Sequence, residues 1–184
     1  MVHAPKHFLV IFMTAWAFVC APVSATDIEL PPPVAKLLAA DAECIDRHAN
    51  PIMDARETAQ LTENHRLYLV PCFTGAYNVV YRIYVFDRRY PNEAKLSVFA
   101  AFSDQMGWYG KIQLINAEYD LKTQTLTAFE KGRGLGDCGS VPTYRWNEYD
   151  WRMVSYRYWG KCDGSRMPGD WPVIYRFKEP KTPQ

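Results

Sequence analysis

From Leu67 onward the chain never runs far without a turn. Seven apolar stretches, "LYLVPCF", "NVVYRIYVFD", "KLSVFAAFSD", "KIQLINAEYD", "TLTAFEKG", "DWRMVSYRYWG" and "PVIYRFK", are separated by clusters such as "RRYPNE", "DQMGWYG", "DLKTQ", "GRGLGDCGS" and "CDGSRMPGD". The stretches are rich in Val, Ile, Tyr, Phe and Trp, which suit a pleated, half-buried surface. The breaks carry the Gly, Pro, Asn and Asp of tight connections. Short strands so spaced predict an antiparallel β meander closing as a sandwich or a barrel. No strand–helix–strand rhythm supports a parallel sheet. In "KIQLINAEYD", Ile112 and Leu114 share one face with Asn116 and Glu118, an imperfect alternation that leaves inside and outside unassigned.

The segment before Leu67 reads differently. "ELPPP" is a stiff lead-in, and Pro33 suits the first turn of a helix, where its missing N–H is no loss. In "VAKLLAADAECIDRH", Val34, Leu37, Leu38, Ala42 and Ile45 fall on one helical face. "MDARETAQLTEN" is expected to add a helical turn or two, ended by Asn64. The expected fold class is therefore mainly β, with a short N-terminal helical segment.

The first 25 residues read as a secretory signal. Lys6 precedes the apolar run Phe8 to Cys20, Pro22 breaks it, and Val23 and Ala25 stand where a signal peptidase looks. The run falls short of the roughly 20 apolar residues of a membrane span. Lipid attachment at Cys20 is disfavoured by the bulky Val19 before it. Cleavage after Ala25 leaves residues 26–184 as one domain, periplasmic or secreted, with no membrane span. It also removes one lysine and no acid, so the formal charge of +1 falls to zero. Nothing in that balance suggests nucleic acid or acidic lipid as a partner.

Four cysteines remain, Cys44, Cys72, Cys138 and Cys162, and an even number in an exported chain points to disulfides. Three pairings are possible; proximity favours Cys44 with Cys72 and Cys138 with Cys162. Cys44 and His48 stand four apart and could begin a zinc site, but His65 and Cys72 have no matching spacing to complete a tetrahedron. No metal and no cofactor is expected.

"KGRGLGDCGSVPTYRW" places four glycines within eight positions. Gly134, Gly136 and Gly139 match G-x-G-x-x-G, yet the dinucleotide fingerprint needs a helix next, and "SVPTYRW" is β-rich with Pro142 in the way. No Gly-Lys-Ser or Gly-Lys-Thr supports a phosphate loop. The stretch reads instead as a tight turn stapled by Cys138 to Cys162. It is also a candidate binding surface, presenting Arg133 and Asp137 beside backbone amides.

"LYLVPCFTGAYN" (67–78), "TLTAFEKGRGLGDCGS" (125–140) and "GKCDGSRMPGDWPVIYRF" (160–177) resemble the bacterial family called domain of unknown function 1176. The resemblance covers residues 65–177 and matches the C-terminal half of the family pattern, as though the N-terminal half were missing. Phe73 and Thr74, between Cys72 and Gly75, depart from that pattern. It implies an exported, cysteine-containing protein, and it supplies no catalytic residues.

No other motif supplies them either. Gly-x-Ser-x-Gly is absent, and neither His48 nor His65 sits in a distinctive block. Asp104, Asp137, Asp163 and Asp170 lie in expected loops, where aspartate usually bonds its own backbone; an envelope glycan hydrolase using two of them is the alternative reading. "YRWNEYDWRMVSYRYW" reads as cross-strand aromatic and arginine–aromatic pairing. Trp108 and Tyr109 of "GWYG" are the expected loop aromatics for a sugar or peptide platform. The leading expectation is a non-catalytic binding protein of the bacterial envelope, its partner an envelope protein or glycan. Arg133, Asp137 and the loop from Asp163 to Trp171 form its expected surface, and inhibition of a wall-degrading lysozyme is its sharper form.

Overall fold

The structure, a computed structural model, describes residues 28–44 and 56–178. Helix α1 (Pro32–Ala40) comes first, followed by β1 (Glu57–Gln60), β2 (His65–Thr74), β3 (Val79–Asp87) and β4 (Lys95–Leu96). Then come β5 (Phe99–Ser103), β6 (Gly107–Lys111), β7 (Gln113–Ile115), β8 (Ala117–Asp120) and β9 (Thr125–Ala128). The chain continues through β10 (Glu130–Lys131), β11 (Gly139–Trp146), β12 (Trp151–Trp159) and β13 (Val173–Arg176).

Every strand pairing is antiparallel. One sheet runs β1-β2-β3-β4, with β7 also on β3; a second runs β13-β12-β11-β9-β8, with β10 also on β11. β5 and β6 form a separate hairpin. Leu67, Leu69, Ile83 and Val85 of the first sheet share one core with Leu126, Ala128, Tyr144 and Trp151 of the second, and Phe99 of the hairpin joins them. Two sheets on a common core fulfil the layered half of the expectation; no closed barrel forms among the described residues.

The expected helix forms with Pro32 and Pro33 in its first turn and Val34 and Leu38 buried. They pack with Tyr68, Val70 and Tyr84 in a second cluster that also holds Cys44 and Cys72. Asp41 turns extended and ends the helix early (ψ 100°), so the expected face breaks before Ala42, while Leu37 is exposed and Ile45 lies outside the described residues. The Asp41 carboxylate accepts from Arg82 Nε at 2.6 Å, and the fully buried guanidinium also donates to Glu43 (2.6 Å) and Gln113 (2.8 Å). A second helical piece does not form over 57–60. β1 pairs there with β2, Thr58 Oγ1 donates to the Leu67 carbonyl at 2.8 Å, and a tight turn reverses the chain.

The irregular alternation in "KIQLINAEYD" has a physical cause. Asn116 adopts φ +48°, and the run divides there: β7 joins the first sheet and β8 the second. The Asn116 side chain stitches the switch, accepting from Val79 N and donating to Asn78 Oδ1 and the Phe129 carbonyl, each at 2.9 Å. Glu118, after the switch, belongs to a different face from Leu114.

Candidate functional site

The glycine-rich stretch is a turn between β10 and β11. Gly132 N donates to the Cys138 carbonyl and Gly136 N to that of Arg133, both at 2.9 Å. Gly139 holds φ +133°, and a Cβ there would overlap the Glu130 carbonyl oxygen. Cys138 is bonded to Cys162, with their Cα atoms 4.9 Å apart, and Cys44 is bonded to Cys72. The Cys44 sulfur is thereby committed to a disulfide, and His48 lies outside the described residues. Asp41 stands beside the Cys44–Cys72 sulfurs, but sulfurs joined to each other lack the thiolate charge that binds zinc.

The structure corrects the surface expected around this loop. Asp137 is buried, not presented to solvent. Its carboxylate takes two hydrogen bonds from Arg133 (2.7 and 2.6 Å) and one from Gly164 N (2.7 Å). The Arg133 guanidinium, aided by that amide, holds the Asp137 carboxyl at about 2. Arg133 is partly exposed but spends its fork on this bond. Trp171 is 1% exposed and packs near Phe129, ring centroids 6.0 Å apart; it braces the loop from inside. Asp163 stays at the surface and accepts from Ser165 N at 2.9 Å, closing its own turn. What the loop does present is apolar: Leu135 is 72% exposed at its tip.

Trp108 and Tyr109 stand on strand β6, not on a loop, because the turn is confined to residues 104–106 and β6 pairs with β5 throughout. Both remain at the surface. Trp108 meets Phe102 (5.4 Å), Tyr156 (5.2 Å) and Tyr175 (6.1 Å) edge to face, and Phe102 meets Tyr158 at 5.1 Å. Tyr158 donates its hydroxyl to Asp104 Oδ2 at 3.1 Å. Tyr156 Oη accepts from Phe102 N (3.1 Å), which locks the hairpin onto β12. Within electrostatic reach of Tyr109 lies the Lys111–Glu130 ion pair, with Ser140 Oγ donating to Glu130 at 2.9 Å. Burial, then the Glu130 charge, pushes the Tyr109 phenol up. The result is an aromatic face with one carboxylate at its margin.

Sequence reasoning missed a cleft of about 380 Å³. Its walls include His65, Asp87, Arg89, Lys95, Trp146 and Tyr149. His65 Nδ1 lies 2.8 Å from Thr62 Oγ1 and His65 Nε2 lies 3.3 Å from Asp87, a hydroxyl–imidazole–carboxylate chain. Thr62 Oγ1, however, already accepts from the amides of Asn64 and His65, which is the bonding of a turn. Asp87 is clamped by Arg89, whose hydrogen bonds hold it at about 2. The chain pins the β1–β2 turn onto β3. Only the pairing of strands brings these residues together, so spacing carried no signal of it.

The fold and these surfaces define a disulfide-braced antiparallel β protein of two main sheets and a separate hairpin. The chain belongs to the family described as "Protein of unknown function (DUF1176)", which matches residues 13–178 and so extends well beyond the 65–177 of the motif resemblance. It is 27% identical over 126 residues to the uncharacterized protein YpfG of Escherichia coli strain K12. The aligned part is 68% of this chain and 36% of that relative, so the chain spans about a third of its length. No solved structure matches the chain.

Proposed function

We propose that the chain is an exported, non-catalytic binding protein of the bacterial envelope, and that its ligand is a glycan held on the Trp108–Tyr175 face. Two disulfides favour an oxidising compartment, periplasmic or extracellular. The observation that carries the reading is the exposed, edge-to-face aromatic surface with the Asp104–Tyr158 hydrogen bond beside it. The polarised C–H face of a sugar ring matches the negative face of an indole, while a neighbouring carboxylate and phenol can take up hydroxyls and fix orientation. Of the loop aspartates, Asp137 and Asp163 have their carboxylates engaged in bonds that serve the fold. That weighs against the carboxylate hydrolase.

The test is titration of the mature chain with soluble peptidoglycan fragments, followed by tryptophan fluorescence. Trp108→Ala is expected to weaken binding about tenfold, from the roughly 1.5 kcal/mol of one aromatic contact. Equal affinity of variant and wild type, or no binding by either, refutes the assignment.

A second reading, lysozyme inhibition, is favoured by the Leu135 tip, an apolar side chain on a loop braced by a disulfide and an ion pair. Immobilised protein that retains no lysozyme rules it out.

A further inference from the structure

The outer face of the second sheet carries a stripe of arginines that form no ion pair among the described residues. Along β11, Ser140, Pro142 and Tyr144 point into the protein and are buried, which turns Thr143 and Arg145 outward. Their register partners on β12 share that face: Arg145 stands directly opposite Arg152, and Thr143 opposite Ser155. Ser155 in turn pairs with Arg176 of β13. Arg145, Arg152 and Arg176 are all exposed. Among the described residues no carboxylate lies within salt-bridge distance of any of the three. Arg152 instead lies over the Phe177 ring at 4.8 Å.

Two features make this more than a solvated surface. Like charges directly opposite each other on neighbouring strands destabilise a sheet, so the Arg145–Arg152 pair breaks a local rule with no ion-paired acid among the described residues to relieve it. The sheet also sorts its side chains by chemistry from edge to edge. On the same face, Glu118 and Asp120 stand at the far strand β8, and Thr127 and Thr125 lie between them and the arginines. The arginines thus occupy three adjacent strands, about 5 Å apart, beside a field of hydroxyls.

We infer that this face binds the phosphate groups of a phosphorylated glycan. A guanidinium fork meets a phosphate through two parallel charge-assisted hydrogen bonds. The hydroxyls of Thr143 and Ser155 offer a sugar chain both donors and acceptors. An anion between Arg145 and Arg152 also removes the repulsion that the empty face carries. The face is opposite to the aromatic one and goes beyond the binding reading above; it would stand if the Trp108 surface bound nothing.

The experiment measures binding of the mature, disulfide-intact protein to a phosphorylated mannan and to the same mannan after dephosphorylation, at several salt concentrations. Wild type is expected to bind the phosphorylated polymer at low salt and to lose at least tenfold in affinity with the dephosphorylated one. The double variant R145Q/R152Q is expected to lose about tenfold or more, with a salt dependence shallower by about one per arginine removed. Ligand-free, it should melt no lower than wild type, because a repulsive pair is gone. Equal binding of both mannans, or unchanged binding by R145Q/R152Q, overturns the inference. A markedly lowered melting point of the free variant does so too, by making the pair structural. Vesicles of phosphatidylglycerol against phosphatidylcholine form a further arm; stronger binding to the anionic vesicles than to the mannan overturns the choice of a glycan.

Discussion

The Lys111–Glu130 pair gives a quantitative test of what holds the hairpin to the second sheet. Both side chains are nearly buried, and Glu130 has one further donor, Ser140 Oγ. Lys111→Met conserves the aliphatic stem but leaves a largely buried carboxylate with the Ser140 hydroxyl as its donor. Removing one partner of a buried pair typically destabilises by about 3–5 kcal/mol. K111M should therefore lose about 3 kcal/mol, a fall in melting temperature of roughly 6–12 °C for a chain this size. Adding Glu130→Gln should recover most of the loss, because the unpaired charge is gone while the amide can still accept from Ser140. Thermal melts of K111M, E130Q and the double variant by circular dichroism measure all of this. A loss in K111M under about 1 kcal/mol, or no recovery in the double variant, would refute the reasoning and make Lys111 a packing residue.

The glycine turn supplies two further predictions. Asp137 is held at about 2, below the ordinary 3.8, so its bonds to Arg133 and Gly164 stabilise the fold at neutral pH and fail as pH falls through about 2. Asp137→Asn should melt below wild type at pH 7, and the gap should close between pH 4 and 2; a gap that persists in acid contradicts the ion-pair account. Gly139→Ala should destabilise by about 3 kcal/mol or more, because the new Cβ meets the Glu130 carbonyl within a paired strand. Gly164→Ala, at φ +75° with open space around it, should lose only about 1 kcal/mol. Comparable melting of the two alanine variants would show that the backbone yields at Gly139.

The strands were legible because their signal is local. β-branched and aromatic runs between turn residues state their own conformation, and the helix over 32–40 follows from two prolines and a four-residue apolar spacing. What failed was local pattern overruled by a partner strand. Residues 57–60 are poor strand formers that became β1 because β2 offers a full ladder of partners. "GWYG" looks like a turn but is drawn into β6 by β5. The site was legible only as a set of residue types. Asp137 and Trp171 were expected on a binding surface, yet their polarity and size are spent inward: one is the acceptor for three donors, the other an interior wedge. Arg82, fully buried on β3, gave no sequence signal, since its partners Asp41 and Glu43 precede it by about forty positions.

Charge shows the same limit from the other side. A net charge near zero argues against a general attraction to polyanions, and that argument averages over the whole surface. A sheet does not average. Register assigns each residue to a face and a column, and here it collects Arg145, Arg152 and Arg176 on three neighbouring strands while leaving Glu118 and Asp120 two strands away. At physiological ionic strength screening acts over about 8 Å, shorter than the spread from the β8 acids to the outer arginine columns. A ligand on the arginine side therefore meets a positive field from a chain whose net charge is only +1. Binding that depends on these three side chains should accordingly fall with salt far more steeply than a neutral protein's composition suggests.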